Sequence, residues 1–373
     1  MPQPLHGIRV IDFSTLLPGP MATLFLAESG AEVIKVEPRG SGEEMRLQHP
    51  RWGESSVSFS LLNRGKKSLE VNLKKPEELQ RIIALIKSAD VLVEQFRPGV
   101  MQRLGLDYDT LSKKNPKLIY CSITGYGQNG PKKLNAAHDL NYIGDTGLLS
   151  LSMGQDESPV IPPTLIADLA GGSHPAFSNI LLALRERDQT GKGSFLDISM
   201  TDNLFFMMYS LIGNALAHDV WPENGNEKLT GGNPRYHLYP TKDDRFVAVA
   251  CLEERFWKNF VNIIQLEPEF AKENKDPNKT KKRIKEIIKS KSATEWESLF
   301  QTSDCCCTIV KTLKEALSDP HFANRNLFSK FVENDAGEKI PSIPIPISKN
   351  FLSNNKAKAK APSLGKDNST LLN

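Results

Sequence analysis

The stretch IRVIDFSTLLPGPMATLFLAESGAEVIKVE, from Ile8 to Glu37, carries the strongest structural pattern in this chain. It opens with a β-branched run at Ile8 to Phe13, and a Pro-Gly-Pro turn follows at Pro18 to Pro20. Met21 to Ser29 has a helical pattern, and Glu32 to Val36 is a second β-branched run. A strand, a helix and a strand in this order form a βαβ unit with two parallel strands. The stretch therefore predicts a parallel α/β sheet.

Further strands and helices of the same kind follow along the chain. A helix is predicted after Pro76, and buried strands are predicted at Val91 to Glu94 and at Leu118 to Ile123. We therefore expect an open, parallel, Rossmann-like sheet whose ligand crevice lies beyond the carboxyl ends of its strands. No GxxxxGK motif follows a strand, and the GxGxxG match at Gly125 to Gly130 is followed by Pro131 and not directly by a predicted helix, so the sequence does not support a dinucleotide cofactor or a P-loop.

The length of 373 residues indicates more than one domain, because single cores stop growing near ~250 to 300 residues. After a polar linker, Tyr236 to Val249 alternates around Lys242 to Arg245 as a hairpin does, and helices follow to about Leu317. The predicted parts are a large α/β domain at 1–222, a smaller α+β domain at 223–330 and a C-terminal segment at 331–373 that returns to the large domain.

Several classes of function are disfavoured by composition. The net charge is only +3, and we interpret the Lys-rich run between residues 272 and 291 as a solvated surface, so no nucleic-acid partner is expected. No apolar run approaches the ~20 residues that a membrane span needs, and no signal-peptide pattern is present, so we expect the cytoplasm and no membrane partner. The run Cys305 to Cys307 suits neither a disulfide nor a metal site, and no metal is expected.

Two polar segments are candidates for chemistry. AHDLN, from Ala137 to Asn141, follows the Gly-rich stretch GYGQNGP, and Asp168 comes later in ADLAGGSHPAF, before a long helix that ends near Arg187. A His and a carboxylate at one crevice can act as two acid/base groups, each worth roughly 10²–10⁴-fold. The alternative is that His138 is structural and Asp168 is a helix N-cap, because Asp is favoured there.

The combined motifs resemble the family III coenzyme A transferases, which also include the 2-methylacyl-CoA racemases. The resemblance runs in order from Gly7 to about Phe322, with a weaker echo at PSLGKDNSTLL. The motifs that carry it are the opening stretch, VLVEQFRPG, ITGYGQNGP, HDLNY, LIADLAGG, TGKGSFLDISM and LTGGNPRYHLYPTKDDRFVAVACLEERFW.

The resemblance implies catalytic roles for His138, Asp168 and Glu253. The segment His138 to Tyr142 is similar to the racemase branch, in which the His and the Asp remove and return the α-proton of the thioester on opposite faces. Glu253 matches a Glu that supports the catalytic His, and Asp139 is expected to orient the loop. In the transferase alternative, Asp168 attacks the thioester and forms an acyl anhydride, and His138 becomes secondary.

The resemblance also implies the substrate and the assembly. A coenzyme A thioester is the substrate, no separate cofactor is needed, and the transferase alternative adds an acceptor carboxylic acid. A homodimer of interlocked subunits is expected. Arg235 stands in GGNPRY, where racemases usually carry an uncharged residue, and a cation near the acyl pocket could receive a substrate carboxylate. The residues expected to contact coenzyme A are Arg39, Arg64, Arg97, Gly125, Tyr126 and Gly127.

Overall fold

The structure is a computed structural model that describes residues 3–152, 154, 158–271, 276–352 and 359–372. Residues 272–275 of the Lys-rich run lie outside the described residues. The chain forms two compact units. The first unit comprises 1–146, 162–207 and 324–373, and the second comprises 147–161 and 208–323.

Most of the β-branched runs in the sequence form strands. In chain order they are β1 (Arg9–Asp12), β2 (Glu32–Pro38), β3 (Arg51–Trp52), β4 (Ser55–Ser56), β5 (Lys67–Val71), β6 (Val91–Glu94), β7 (Ile119–Thr124), β8 (Phe195–Ser199), β9 (Tyr236–Pro240), β10 (Phe246–Ala250), β11 (Cys307–Ile309), β12 (Phe331–Glu333) and β13 (Lys339–Pro341).

The helices alternate with the strands in the first unit and cluster in the second. In chain order they are α1 (Pro18–Glu28), α2 (Val57–Asn63), α3 (Pro76–Ile86), α4 (Val100–Arg103), α5 (Tyr108–Ser112), α6 (Asp139–Asp145), α7 (His174–Thr190), α8 (Met200–Met207), α9 (Tyr209–His218), α10 (Glu254–Ile264), α11 (Pro277–Ile288), α12 (Ala293–Gln301), α13 (Leu313–Leu317), α14 (Pro320–Asn324) and α15 (Asn368–Leu371). A π-helix at Ala167–Ser173 precedes α7, and 3₁₀ turns lie at Glu44–Leu47, Leu149–Leu151 and Lys349–Phe351.

A six-stranded sheet organises the first unit. Its order is β5-β2-β1-β6-β7-β8, and every neighbouring pair is parallel. The chain leaves β1 toward β2 and β5 on one side and later returns to β6, β7 and β8 on the other. This reversal is a topological switch point, where open α/β sheets bind ligands beyond the carboxyl ends of their strands. The parallel α/β fold predicted from the sequence is confirmed.

The core of the first unit lies between this sheet and its helices. Ile11, Leu69 and Leu92 come from three strands and are fully buried, and Ile82 and Ile86 cover them from the apolar face of α3. These residues have the periods of two and 3.6 that strands and helices need to present one apolar face. The sequence pattern therefore places the core correctly.

The second unit has a separate core and an antiparallel sheet. Its order is β11-β10-β9, and Val247 pairs with Tyr239 across the hairpin predicted from the sequence. Trp257, Trp296 and Phe260 are buried against this sheet. The α+β architecture predicted for the smaller part of the chain is therefore confirmed.

The limits of the parts differ from those read from the sequence. The second compact unit comprises 147–161 and a longer part that begins at Met208. The sequence analysis instead placed the boundary between the large and the small domain after residue 222. The apolar stretch from Met200 to Leu216 forms two helices, α8 and α9, which are separated at Met208. Continuous apolar character does not reveal such a break, because both helices are apolar. The domain division itself stays a prediction.

The end of the chain packs on the edge strand β5 of the first unit. The backbone N–H of Ser68 donates to Asp367 Oδ2 at 2.9 Å, and that of Glu70 donates to Asn368 Oδ1 at 2.9 Å. These side chains satisfy the exposed edge of the sheet, which would otherwise present unpaired backbone groups. None of the helices in the described part of the chain has the length and apolarity that crossing a membrane requires.

Candidate active site

A cavity of about 410 Å³ lies at the switch point of the first unit. Its walls include Thr15 and Leu16 after β1, the segment from Gln95 to Pro98 after β6, and Gly125 with Tyr126 after β7. Carboxyl ends of parallel strands meet at one edge, so these segments converge there. The cavity therefore lies where the sheet topology places a ligand.

Asp168 is half-buried in the cavity wall, in the first turn of the π-helix. Its backbone N–H donates to Asp139 Oδ1 at 2.9 Å, and the Asp139 side chain is buried. Burial, and then the negative charge of Asp139, raise the pKa of Asp168 to about 7. Both causes disfavour the charged form of a carboxyl group. Asp168 therefore exchanges protons near neutral pH, and it is not the N-cap considered in the sequence analysis.

The small residues after Asp168 allow the π-helix to pack closely. A Cβ on Gly171 would lie 2.4 Å from the Met200 carbonyl oxygen, and a Cβ on Gly172 would lie 2.9 Å from Pro18 Cβ. The Ser173 hydroxyl donates to the Pro18 carbonyl at 2.9 Å. The motif ADLAGGS is therefore needed to bring Asp168 against the start of α1 and the start of α8. Single π-helical turns are frequent at functional sites.

His138 lines the same cavity, on an exposed position just before α6. Its backbone N–H donates to Asn141 Oδ1 at 3.0 Å, and its carbonyl accepts from the Asn141 N–H at 2.8 Å. This reciprocal pair is a capping arrangement that holds the backbone of His138 without using its imidazole. The structure thus brings His138 and Asp168 to one cavity, as the sequence analysis required.

The Gly-rich loop forms another wall. A Cβ on Gly125 would lie 2.3 Å from the Tyr142 ring, so only glycine fits there. Thr201 Oγ1 donates to the Gly125 carbonyl at 2.9 Å, and the Tyr126 hydroxyl donates to Asp145 Oδ2 at 2.6 Å. Gly127 follows with a positive φ of 79° and is not among the lining residues. These contacts keep the loop beside Asp168.

Of the three arginines proposed for coenzyme A, the structure brings only Arg97 to the cavity. The Arg39 guanidinium pairs with Glu78 Oε2 at 2.9 Å, and that of Arg64 pairs with Glu28 Oε1 at 2.8 Å. Arg64 is also buried, so its side chain serves the packing of the first unit. A position at the end of a strand does not distinguish an arginine that reaches the cavity from one held in an ion pair, because each ion-pair partner lies on another segment of the chain.

Lys133 also lines the cavity and was missed in the sequence analysis. It lies in the stretch between the Gly-rich loop and His138. The signal that could have identified Lys133 from the sequence was its position between two motifs assigned to the site. A second cation at the cavity strengthens its fit to an anionic ligand.

Glu253 and Arg235 lie in the second unit. Glu253 is exposed and directly precedes α10. Arg235 donates to Glu254 Oε2 at 2.8 Å, and its guanidinium lies 5.0 Å from the centre of the Trp257 ring. Arg235 is therefore engaged by a carboxylate of its own chain. That Glu253 supports the catalytic role of His138 stays a prediction from the resemblance.

Replacing Asp168 with Asn should stabilise the fold, and more so at about pH 8 than at about pH 5. The folded-state pKa of about 7 exceeds the ordinary value of 3.8, so the folded protein binds more protons than the unfolded chain between these values. Stability therefore falls as pH rises through this window, and a neutral isostere avoids that loss. We expect a gain of about 1–2 kcal/mol at the higher pH, after allowance for partial exposure.

Urea unfolding of both proteins at the two pH values measures this difference. Asp202→Asn is the matched control, because it removes an exposed carboxylate from α8, which packs against the same π-helix. A stability gain that does not change with pH would show that Asp168 has an ordinary titration.

Comparisons with known proteins identify the family of this chain. A family model described as CoA-transferase family III matches residues 5–368. The alpha-methylacyl-CoA racemase of Mus musculus is 34% identical over 342 residues, which cover 91% of this chain and 84% of that protein. The acetyl-CoA:oxalate CoA-transferase of Acetobacter aceti is 32% identical over 361 residues, which cover 92% of this chain and 89% of that protein.

A solved structure shows the same fold. The protein Rv3272 from M. tuberculosis, in an orthorhombic crystal form, superposes with a TM-score of 0.83 at 26% identity, and the match covers 99% of each chain. Relatives named for two different activities are thus about one-third identical to this chain over most of its length. Because the family model matches nearly the whole length, the chain is an enzyme that belongs to the CoA-transferase family III.

Proposed function

We propose that the enzyme is an acyl-CoA racemase or epimerase that inverts the α-carbon of a 2-methylacyl-CoA thioester by two-base proton transfer. The observation that carries this proposal is the meeting of His138 and Asp168 at one cavity, with the pKa of Asp168 raised to about 7. General acids and bases work best when their pKa lies near the working pH. Histidine is the side chain that most often transfers protons in enzymes.

The two groups divide the reaction between them. The thioester carbonyl acidifies the α-hydrogen, and one of the two groups removes this proton. The enolate forms, and the other group delivers a proton to the opposite face, which inverts the centre. Which group acts first depends on the configuration of the bound substrate. Glu253 is proposed to orient the imidazole of His138.

The enolate oxygen needs hydrogen-bond donors. Backbone N–H groups near Asp168, or in the loop from Gly125 to Gly130, are the proposed suppliers, since preorganised donors stabilise an oxyanion. The contact between Thr201 and the Gly125 carbonyl supports this role, because it holds the loop in place before substrate binds. No cofactor enters the proposal, since the coenzyme A thioester is itself the substrate.

Recognition of coenzyme A is proposed to involve Arg97 and Lys133. Both line the cavity, and a guanidinium group suits phosphate recognition through paired hydrogen bonds. The engagement of Arg235 by Glu254 leaves less reason to expect an acidic acyl group. This observation favours the 2-methylacyl class over a dicarboxylic acyl-CoA.

The second candidate is a coenzyme A transferase. It is supported by relatives such as the succinyl-CoA:glutarate CoA-transferase of Mus musculus, which is 31% identical to this chain. The Asp168 carboxylate would attack the thioester carbonyl, and the carbon–sulfur bond would break. Coenzyme A would leave as its thiolate, and an acyl-aspartyl anhydride would remain. An acceptor carboxylic acid would then be required as the second substrate.

We also propose a homodimer. The helix α9 and the residues after it expose large apolar side chains: Tyr209 is 72% exposed, Leu216 72% and Trp221 65%. Exposed apolar side chains of this size mark interaction surfaces when they lie together. A cytoplasmic location stays a prediction from the sequence.

Incubation with one enantiomer of a 2-methylacyl-CoA in deuterated water tests the proposed function. We expect the α-hydrogen to exchange for deuterium and the stereochemical purity to fall with no acceptor acid present. Mass spectrometry of the thioester measures exchange, and chiral chromatography of the released acid measures inversion. Absence of exchange, together with coenzyme A transfer once a carboxylic acid is added, would replace the racemase with the transferase.

A further inference from the structure

Asp139 is a buried carboxylate that neither proposed mechanism uses directly. Its side chain is 5% exposed, and it occupies the first position of α6, directly after His138. The first turn of a helix favours negative charge, because backbone N–H groups point toward it. Within the described residues no ion pair to Asp139 is found, and the nearby Lys132 pairs with Asp145 at 3.0 Å instead.

The second observation is the contact between the two acidic residues. Asp139 Oδ1 accepts the hydrogen bond from the backbone N–H of Asp168 at 2.9 Å. This bond links α6 to the first turn of the π-helix, so it fixes the position of the Asp168 backbone that carries the side chain. It also holds a negative charge close to the Asp168 carboxyl.

We propose that Asp139 is a positioning residue, which fixes the backbone of Asp168 and, by its charge, keeps the Asp168 carboxyl able to hold a proton at neutral pH. Two neighbouring carboxyl groups do not readily ionise together, so the charge of Asp139 disfavours the ionised form of Asp168. The raised pKa of Asp168, caused by burial first and by Asp139 second, agrees with this geometry. The proposal concerns the site of the proposed function.

Other charged groups face this region and must be separated from Asp139. At the cavity they are Arg97, Tyr126, Lys133, His138 and Tyr142, and on the elements packed against the π-helix they are Glu28 on α1, Asp145 on α6, His174, Arg185, Glu186, Arg187 and Asp188 on α7, Asp197 on β8 and Asp202 on α8. Of the charges around Asp168, that of Asp139 is the one that raises its pKa. A variant of Asp139 therefore has a distinct expected effect.

The chain offers a pair of substitutions that separate charge from position. Asp139→Asn keeps an acceptor oxygen for the Asp168 N–H and removes the charge. Asp139→Ala removes both. We expect Asp139→Asn to lower the Asp168 titration midpoint by on the order of one pH unit, and the pH–rate profile should move the same way. Asp139→Ala should in addition reduce the maximal rate about 10-fold or more, because the carboxyl loses its position.

The measurement is a carbon-13 titration of aspartate carboxyls in the substrate-free enzyme, with the Asp168 signal assigned by its absence in Asp168→Asn. Asp202→Asn is the control and should leave this signal unchanged. An unchanged Asp168 midpoint in a folded Asp139→Asn protein overturns the proposal. If that variant does not fold, Asp139→Ser, which also offers an acceptor oxygen, must show the same downward shift, and an unchanged midpoint there overturns it. Because no turnover is needed, this result is independent of the deuterium-exchange test of the proposed function.

Discussion

Asp168→Ala should reduce the rate of α-hydrogen exchange, and of any coenzyme A transfer, by at least about 10³-fold. In the racemase this carboxyl is one of two proton-transfer groups, and in the transferase it is the nucleophile. Among the described residues that line the cavity no other carboxyl group can replace it, and Asp139 is buried and bonds to the backbone of Asp168. The deuterium-exchange assay measures the first activity, and coenzyme A transfer to an added acid measures the second.

Two controls make this result interpretable. Binding of the thioester, measured by calorimetry, should change little, because Arg97 and Lys133 remain at the cavity. Thermal unfolding should show a folded protein, since alanine leaves the backbone N–H that donates to Asp139. A variant that folds, binds the thioester and keeps more than about a tenth of the exchange rate would remove Asp168 from the chemistry.

His138→Ala should separate the two candidate reactions. A racemase should lose about 10²- to 10⁴-fold in exchange and inversion, because one of its two proton-transfer groups is gone. A transferase should keep most of its activity, since Asp168 alone forms the covalent bond. The bonds between the backbone of His138 and Asn141 do not use the imidazole, so the start of α6 should persist.

His6→Ala is the matched control, because His6 is exposed and is not among the residues that line the cavity. It should leave both activities unchanged. Loss of exchange in a folded His138→Ala protein would support the two-base mechanism. Unchanged exchange in a folded His138→Ala protein would contradict the two-base mechanism.

Much of the fold could be predicted because its signals are local. The βαβ pattern from Ile8 to Glu37 predicts β1, α1 and β2, and the hairpin around Lys242 to Arg245 predicts β9 and β10. The small residues after Asp168 indicated a helix start, although not a π-helix. A break such as that at Met208, between α8 and α9, leaves no trace in apolar periodicity.

The sequence by itself determined the strand and helix pattern, the parallel sheet and the pair of candidate residues, His138 and Asp168. Tertiary structure alone decided that Arg97 reaches the cavity while Arg64 is held by Glu28, and that Asp139 bonds to Asp168. Periodicity depends on neighbours within a few positions, which the sequence displays. Ion pairing, burial and the pKa of a carboxyl depend on groups many positions away, which only the folded chain brings together.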